Sequence, residues 1–412
     1  MAKEPAGVLN GNFKWYGDFG ECRSISPVTM KIGFNNTATF GPRFCRLGVV
    51  SINSTLTDFD TSITQYYFAF MFGLCVTNHC SELDLQHLFN PVLNQVGLRV
   101  AESATYCQLD HVEPSEYFYI ACVCFSLVGF LLLVGLCYDF VTRIKGTKSS
   151  SPKSAWSKLA LGFSPLLNLK KILHLQPSSD EMDRNSDQPV PFDLSSINAI
   201  RSLSIFWVIL GHIYFFSLSA VDNPFEIATF TKRFTFQFII SALFAVDSFF
   251  FLSGFLAYYA LYKRMQRKGS SFWKIYLFAL FLRYIRLTIP YMLMILFEMG
   301  LWPHIGNGPF YYQGPDDFCI NHAWTNALYI NNYIHSDQMC ANWSWYLAVD
   351  MQLFIVAPFF VYLLVKSPFL GWLACTLGLV VQITTAATLT VVKNLPTIHL
   401  MPLGYYSGLA NG

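Results

Sequence analysis

Six apolar runs, each long enough to cross a bilayer, punctuate the chain from its second quarter onward. They cover Tyr117 to Tyr138, Ala199 to Ala220, Phe234 to Tyr262, a stretch ending near Trp302, Trp343 to Val365, and Phe369 to Val392. Each offers about 20 mostly apolar residues, the length that spans a hydrocarbon core some 30 Å thick. The first is uncharged, whereas the second carries His212, the third Asp247 and the fifth Asp350. Ionisable groups at membrane depth are costly, which makes those three positions candidates for function. The fourth run opens on Arg283 and Arg286, and the pattern puts both near the cytosolic boundary with Pro290 in the first turn of the span.

The remaining segments read differently. Residues 1–116 contain turn signals such as Leu9-Asn-Gly11 and Gly41-Pro42 and predict a compact extracytosolic domain. Residues 117–138 are the first transmembrane helix, and residues 139–198 a cytosolic linker. Inside that linker, Ser178 to Pro191 is polar and proline-ended, which predicts disorder. Trp156 to Phe163 and Leu166 to His174 are expected to lie along the anionic inner leaflet. Residues 199–412 form a further transmembrane domain, read as incomplete at its C-terminal end. The fold class is thus an all-α polytopic membrane protein of about six transmembrane helices, with a small cysteine-rich extracytosolic N-terminal domain.

Composition supports this reading. The chain is 53% hydrophobic and 13% charged, and a net charge of +2 gives no basic face for nucleic acid. The positions of the charges matter more than their sum. Arg143, Lys145, Lys148, Lys153, Lys158, Lys170 and Lys171 follow the first span, and Lys263, Arg264, Arg267, Lys268 and Lys274 precede the fourth. The positive-inside rule makes both segments cytosolic and turns residues 1–116, 221–233 and 303–342 outward. The glycosylation sequons at Asn35, Asn53 and Asn342 fall on that outer side.

Cysteine placement agrees with the same topology. Cys22, Cys45, Cys75, Cys80 and Cys107 crowd the first segment, and Cys319 and Cys340 bracket the large outer loop. An oxidising compartment favours disulfides among these seven. Cys75-Val-Thr-Asn-His-Cys80 also suggests metal binding, but one His and two Cys fall short of a four-ligand zinc set. Five cysteines leave one unpaired in the first segment. Together with the absence of a signal-like start and an abrupt Leu-Ala-Asn-Gly end, this predicts a piece of a longer protein.

The candidate chemistry begins with Arg201 and His212. Eleven residues of helix turn through about 1100°, roughly three turns, so the two side chains face one way about 16 Å apart. His212 is either a packing histidine bonded to a backbone carbonyl, or a proton relay or general base. Asp247 either orients His212, pairs with an arginine or sits in a wet vestibule, and Ser253-Gly254 forms a notch for close approach. Arg283 and Arg286 either snorkel to lipid phosphate or clamp a phosphorylated ligand. Asp350 belongs either to a polar site or to an interhelical hydrogen bond.

Taken in order, these segments resemble the acyltransferase 3 family of multi-pass membrane proteins, in the animal branch called nose resistant to fluoxetine, which includes O-acyltransferase-like proteins. The matching features are Arg201 and His212, Asp247 to Gly254, and Arg283 to Arg286. Cys319 to Gln352, with Tyr329-Ile-Asn-Asn332 and Trp343-Ser-Trp-Tyr346, is similar to the animal branch in particular. Gly7 to Gly11 and the Cys22, Cys45, Cys75 and Cys80 framework resemble that branch's outer domain. The resemblance implies acyl transfer from a cytosolic thioester such as acyl-CoA to a hydroxyl of a lipid or other small acceptor, with no resident cofactor and no metal. It implies His212 as base, with Arg201, Arg283 and Arg286 near the donor, in the endoplasmic reticulum or plasma membrane. The alternatives are transport or uptake of a lipid or small molecule without covalent chemistry, a receptor-like role of the outer domain, and a non-catalytic truncated form.

Overall fold

A computed structural model describes residues 12–32, 36–52, 70–109, 112–144, 154–173, 195–217, 221, 229–230, 232–267, 271–311, 313 and 317–392. The segment expected to be disordered, Asn35, Asn53 and the tail after Val392 lie outside the described residues.

The N-terminal domain is built on strands. Its main sheet contains β1 (Lys14–Trp15), β4 (Pro42–Ser51), β5 (Phe70–Thr77), β6 (Leu98–Val100) and β7 (Tyr106–Cys107). β2 (Val28–Ile32) and β3 (Asn36–Phe40) form a separate antiparallel hairpin. β4 is central and buried from Phe44 to Val50, because side chains alternate between two covered faces. Cys45, Leu47 and Val49 point toward Leu85 of helix α2 (Glu82–Leu93), while Val50 packs with Met71, Ala101 and Ala104 on the other side. α2 starts with a capping box: the Asp84 carboxylate accepts from the Ser81 N–H at 2.8 Å and hydroxyl at 2.7 Å. Those bonds hold the Asp84 carboxyl below its ordinary range. Disulfides tie Cys22 of α1 (Phe19–Ser24) to Cys75, and Cys45 to Cys107. Cys80 is the odd thiol, and His79 of the tempting motif rests on the Thr39 carbonyl at 3.3 Å.

Among the described residues, six helical stretches are long and apolar enough to cross a membrane. The first is α3 (Glu116–Ile144), which leads into short α4 (Ala155–Gly162) and α5 (Pro165–Leu173). α6 (Ser195–Ser217) follows. The third span is broken: α7 (Phe234–Ile240) and α8 (Phe244–Met265) are separated by a 3-10 turn at Ser241–Leu243. The fourth runs from α9 (Phe272–Leu296) through a π-helical turn at Phe297–Leu301 into α10 (Trp302–Ile305). α11 (Asp317–Ala327) precedes α12 (Trp345–Lys366) and α13 (Pro368–Val392).

The fourth span corrects the sequence reading of the arginine pair. The run Phe272-Trp-Lys-Ile-Tyr-Leu-Phe-Ala-Leu-Phe-Leu282 is itself helical, so Arg283 lies about 16 Å along α9 rather than at its boundary. Pro290 is inside the helix, not in its first turn. The reason is compositional: one Lys274 within an apolar run does not end a helix.

The N-terminal domain docks at the end of the bundle that carries the Cys319–Cys340 disulfide. Gln108 donates to the Gly308 carbonyl, the Gln313 N–H donates to Tyr106 at 2.8 Å, and the Tyr16 and Phe310 rings meet at 4.7 Å. α3 presses on the π-helical turn at Gly300, where an added Cβ would lie 2.5 Å from the Tyr117 carbonyl oxygen.

Gly73 makes a fold prediction. A Cβ there would sit 1.9 Å from the Tyr16 carbonyl oxygen, so Gly73→Ala forces the β1 end of the sheet away from β5. Destabilisation of the N-terminal domain by at least the 1–3 kcal/mol of ordinary overpacking is expected, read as a lower thermal midpoint and faster proteolysis near Tyr16.

Candidate functional site

The best-defined polar cluster lies where α8, α9 and α12 meet. Arg283 of α9 ion-pairs with Asp350 of α12, and the same guanidinium nitrogen donates to the Ser253 hydroxyl of α8 at 2.9 Å. The guanidinium carbon stands 4.2 Å over the Phe354 ring, one helical turn beyond Asp350. Asp350 is buried and Arg283 mostly so, and the Arg283 Nε–H has no partner among the described residues. A buried charge needs such a counter-charge, since water is not there to solvate it.

Beside this pair lies a cavity of about 280 Å³ between α8 and α12. Ser253, Gly254 and Asp350 form its polar side, and Phe250, Leu353 and Phe354 are among its apolar walls. Tyr346, four residues before Asp350, leans on Phe250 at 4.7 Å and feels the charges of Asp350, Arg283 and Arg201. The Arg201 charge thus reaches the edge of the cluster, with no hydrogen bond or ion pair to Arg283, Asp350 or Ser253 among the described residues.

His212 stands apart from it. α6 packs closely on the break in the third span: a Cβ at Gly211 would lie 2.5 Å from that of Ala242. The Trp207 indole N–H donates to the Phe238 carbonyl at 2.7 Å, satisfying a group near the end of α7. His212, next along α6, is left uncovered by protein. Its Nδ1 lies 2.8 Å from the Val208 carbonyl, its ring tilts toward Phe216, and it makes no other hydrogen bond, ion pair or ring contact among the described residues. A carbonyl only accepts, so Nδ1 carries the hydrogen and, in the neutral ring, Nε2 keeps the lone pair. Asp247 is in the first turn of α8, just past the break, where the helix dipole favours negative charge. It too is exposed, and it pairs with neither His212 nor an arginine among the described residues. Arg286 is likewise exposed.

A second polar network lies toward the disulfide end. The Tyr291 hydroxyl donates to Ser344 at 2.6 Å, and Asn326 donates to Tyr291 at 2.6 Å and to the Cys340 carbonyl at 2.9 Å. Gln352 donates to the Tyr329 carbonyl at 2.7 Å and to Asn332 at 2.8 Å. Burial pushes the Tyr329 phenol above its ordinary value, and its hydroxyl pairs with Thr288 at 3.0 Å. These bonds seat the loop between α11 and α12, which Cys319–Cys340 also closes. Within the sequon there, Asn342 is exposed whereas the Ser344 hydroxyl is buried in the network.

The structure thus gathers Ser253, Arg283 and Asp350, brings Arg201 to their margin, and leaves His212, Asp247 and Arg286 outside their contacts. Tyr346 entered the sequence reading only as part of Trp343-Ser-Trp-Tyr346; its four-residue spacing from Asp350 is the signal that puts the two on one helix face. Among the described residues no three His, Cys, Asp or Glu side chains gather as metal ligands.

A broken membrane helix, a mid-membrane arginine and an apolar cavity behind a disulfide-bonded domain define a class. Residues 194–410 match the acyltransferase domain of the acyltransferase 3 family, and residues 1–89 match the N-terminal domain of nose resistant-to-fluoxetine proteins. The chain belongs to the acyltransferase 3 family. It is 30% identical to nose resistant to fluoxetine protein 6 of Caenorhabditis elegans over 426 residues, which cover 90% of this chain and 49% of that protein. The chain thus spans about half the length of the curated relative it matches. No solved structure matches it.

The ion pair carries a double-mutant prediction. Asp350→Leu strands the Arg283 charge and is expected to cost about 3–5 kcal/mol, whereas the double variant Arg283→Met with Asp350→Leu is expected to fall far short of the summed costs of Asp350→Leu and Arg283→Met made singly. Thermal unfolding of the four proteins in one detergent measures the coupling.

Proposed function

We propose that the chain takes part in moving an acyl group from a cytosolic thioester of the acyl-CoA type to a hydroxyl of a lipid or other small acceptor. The observation that carries this reading is the histidine tautomer: the Val208 bond fixes the hydrogen on Nδ1 and leaves Nε2 basic on the uncovered side of α6. In the reaction, Nε2 takes the acceptor's hydroxyl proton as its oxygen bonds to the acyl carbonyl carbon. The thioester C–S bond then breaks, and the thiolate leaves with that proton. Asp247, at the same helix break, supplies negative charge for the transient imidazolium.

Depth assigns the arginines. Half a span into α9, Arg283 and Arg286 suit the acyl carbonyl and the pantetheine arm better than the donor phosphates, and Arg201 stands at their margin. The cavity beside Ser253 has the apolar walls an acyl chain needs. We place the N-terminal domain outside the cytosol, in the endoplasmic reticulum or plasma membrane. Its disulfides and Cys319–Cys340 share one end of the bundle, and the lysine-rich connector leaves from the other. One observation favours transport or uptake without covalent chemistry instead: His212 touches no residue of the cavity.

Liposomes carrying the protein, labelled acyl-CoA and a lipid extract separate these readings. His212→Ala and His212→Gln are expected to lower label transfer by about 10²–10⁴-fold, the usual contribution of a general base. Transfer unchanged in both variants removes His212 as base. Lipid flux across the bilayer without any transfer establishes transport.

A further inference from the structure

Outside the candidate site, one more carboxylate is buried among the described residues. Asp139, near the end of α3, is 0% exposed. It accepts two hydrogen bonds from Arg143, at 3.0 and 2.8 Å, and a third from the Ser164 hydroxyl at 3.1 Å. Ser164 is the corner between α4 and α5, and its oxygen also caps α5 by accepting from the Leu167 N–H at 3.2 Å. Around the same corner the backbones nearly touch: a Cβ on Gly135 would lie 2.5 Å from the Phe163 carbonyl carbon. The α4–α5 hairpin is therefore fixed rigidly to the last turns of a membrane span.

What this anchoring holds in place is an apolar surface. Trp156 and Leu159 of α4 recur at a three-residue step, as do Leu166, Leu169 and Ile172 of α5, giving one stripe per helix. All five are exposed, Trp156 at 79% and Ile172 at 78%. Lys158 and Lys170 are exposed on the same two helices. Between residues 139 and 171 the chain carries one acid, Asp139, already paired with Arg143, and six lysines: Lys145, Lys148, Lys153, Lys158, Lys170 and Lys171.

We propose that the α4–α5 hairpin is a membrane-surface module that seats its apolar stripes in the interface beside the exit of α3 and binds anionic lipid headgroups through Lys158 and Lys170. Three features select a lipid surface over a protein partner. The hairpin is fixed to the end of a span, where the headgroups are. Its stripes consist of Trp, Leu and Ile, the side chains that enter the headgroup and acyl boundary. Its exposed cations, Lys158 and Lys170, give it charge of one sign, complementary to the anionic leaflet. The Asp139–Arg143–Ser164 cluster sets the angle at which the hairpin meets the bilayer.

The test uses the whole chain in vesicles of phosphatidylcholine, alone or with phosphatidylserine, containing lipid brominated at shallow acyl positions. The difference in tryptophan emission between the wild type and Trp156→Phe isolates Trp156. That difference signal is expected to be quenched by brominated lipid and spared by aqueous iodide. Lys158→Gln with Lys170→Gln is expected to abolish the extra quenching that phosphatidylserine brings, leaving the level seen in phosphatidylcholine alone. A difference signal quenched by iodide and indifferent to brominated lipid overturns the proposal and assigns the stripes to a water-facing partner. Quenching by brominated lipid that phosphatidylserine and the lysine variants leave unchanged overturns the headgroup part of it.

Discussion

In a bilayer the packing of one apolar helix on another is only weakly driven, because lipid tails are as apolar as leucine. The Arg283–Asp350 pair supplies the direction that such packing lacks. With water absent, the guanidinium has to find its counter-charge on another helix, which fixes the register of α9 against α12. The Ser253 hydroxyl then brings α8 to the same point. The cavity between α8 and α12, with Asp350 and Ser253 on its wall, exists because those backbones meet there and diverge around it. Lengthening or shortening α9 by one residue before Arg283 would rotate the guanidinium about 100° away and dissolve the arrangement.

The same logic repeats at both ends of the bundle, with neutral hydrogen bonds at one and a second ion pair at the other. Toward the disulfide end, Tyr291, Asn326 and Ser344 close the loop onto the helices. At the opposite end, Asp139 ties α3 to the α4–α5 hairpin. α3 packs on the fourth span along its first half, where Ala121 is buried and the Phe125 ring meets Phe297 at 6.1 Å, and at its last turns it meets Phe163. The stretch between those contacts, Leu132 to Val134, is exposed and leaves its surface to lipid.

Legibility in the sequence followed chemistry rather than geometry. All six spans were readable, because hydrocarbon thickness imposes a length that no soluble segment imitates. Arg283, Asp350 and Ser253 were readable as chemically notable, since charge in such runs is rare, but their mutual contact was not: Arg283 and Asp350 are 67 residues apart. The start of the fourth span was misread, because an arginine pair looks like a boundary until its partner in the membrane is known. The break at Ser241–Leu243 gave no sign, having neither proline nor glycine. The strands of the N-terminal domain were hidden for a related reason: β4 is covered on both faces and shows no alternation of apolar and polar residues.

The seam between the N-terminal domain and the bundle joins residues that the ribosome makes far apart in time. Gln108 and Gly308 are 200 positions distant, and Leu109 and Gln313 are 204. At ordinary synthesis rates of about 5–20 residues per second, the first half of that seam waits roughly 10–40 s for the second. During the wait Tyr16, Tyr106 and Gln108 face solvent on a domain otherwise closed by its cystines. Attachment of that domain to the bundle thus cannot precede synthesis of the fourth span and of the residues that follow it to Gln313.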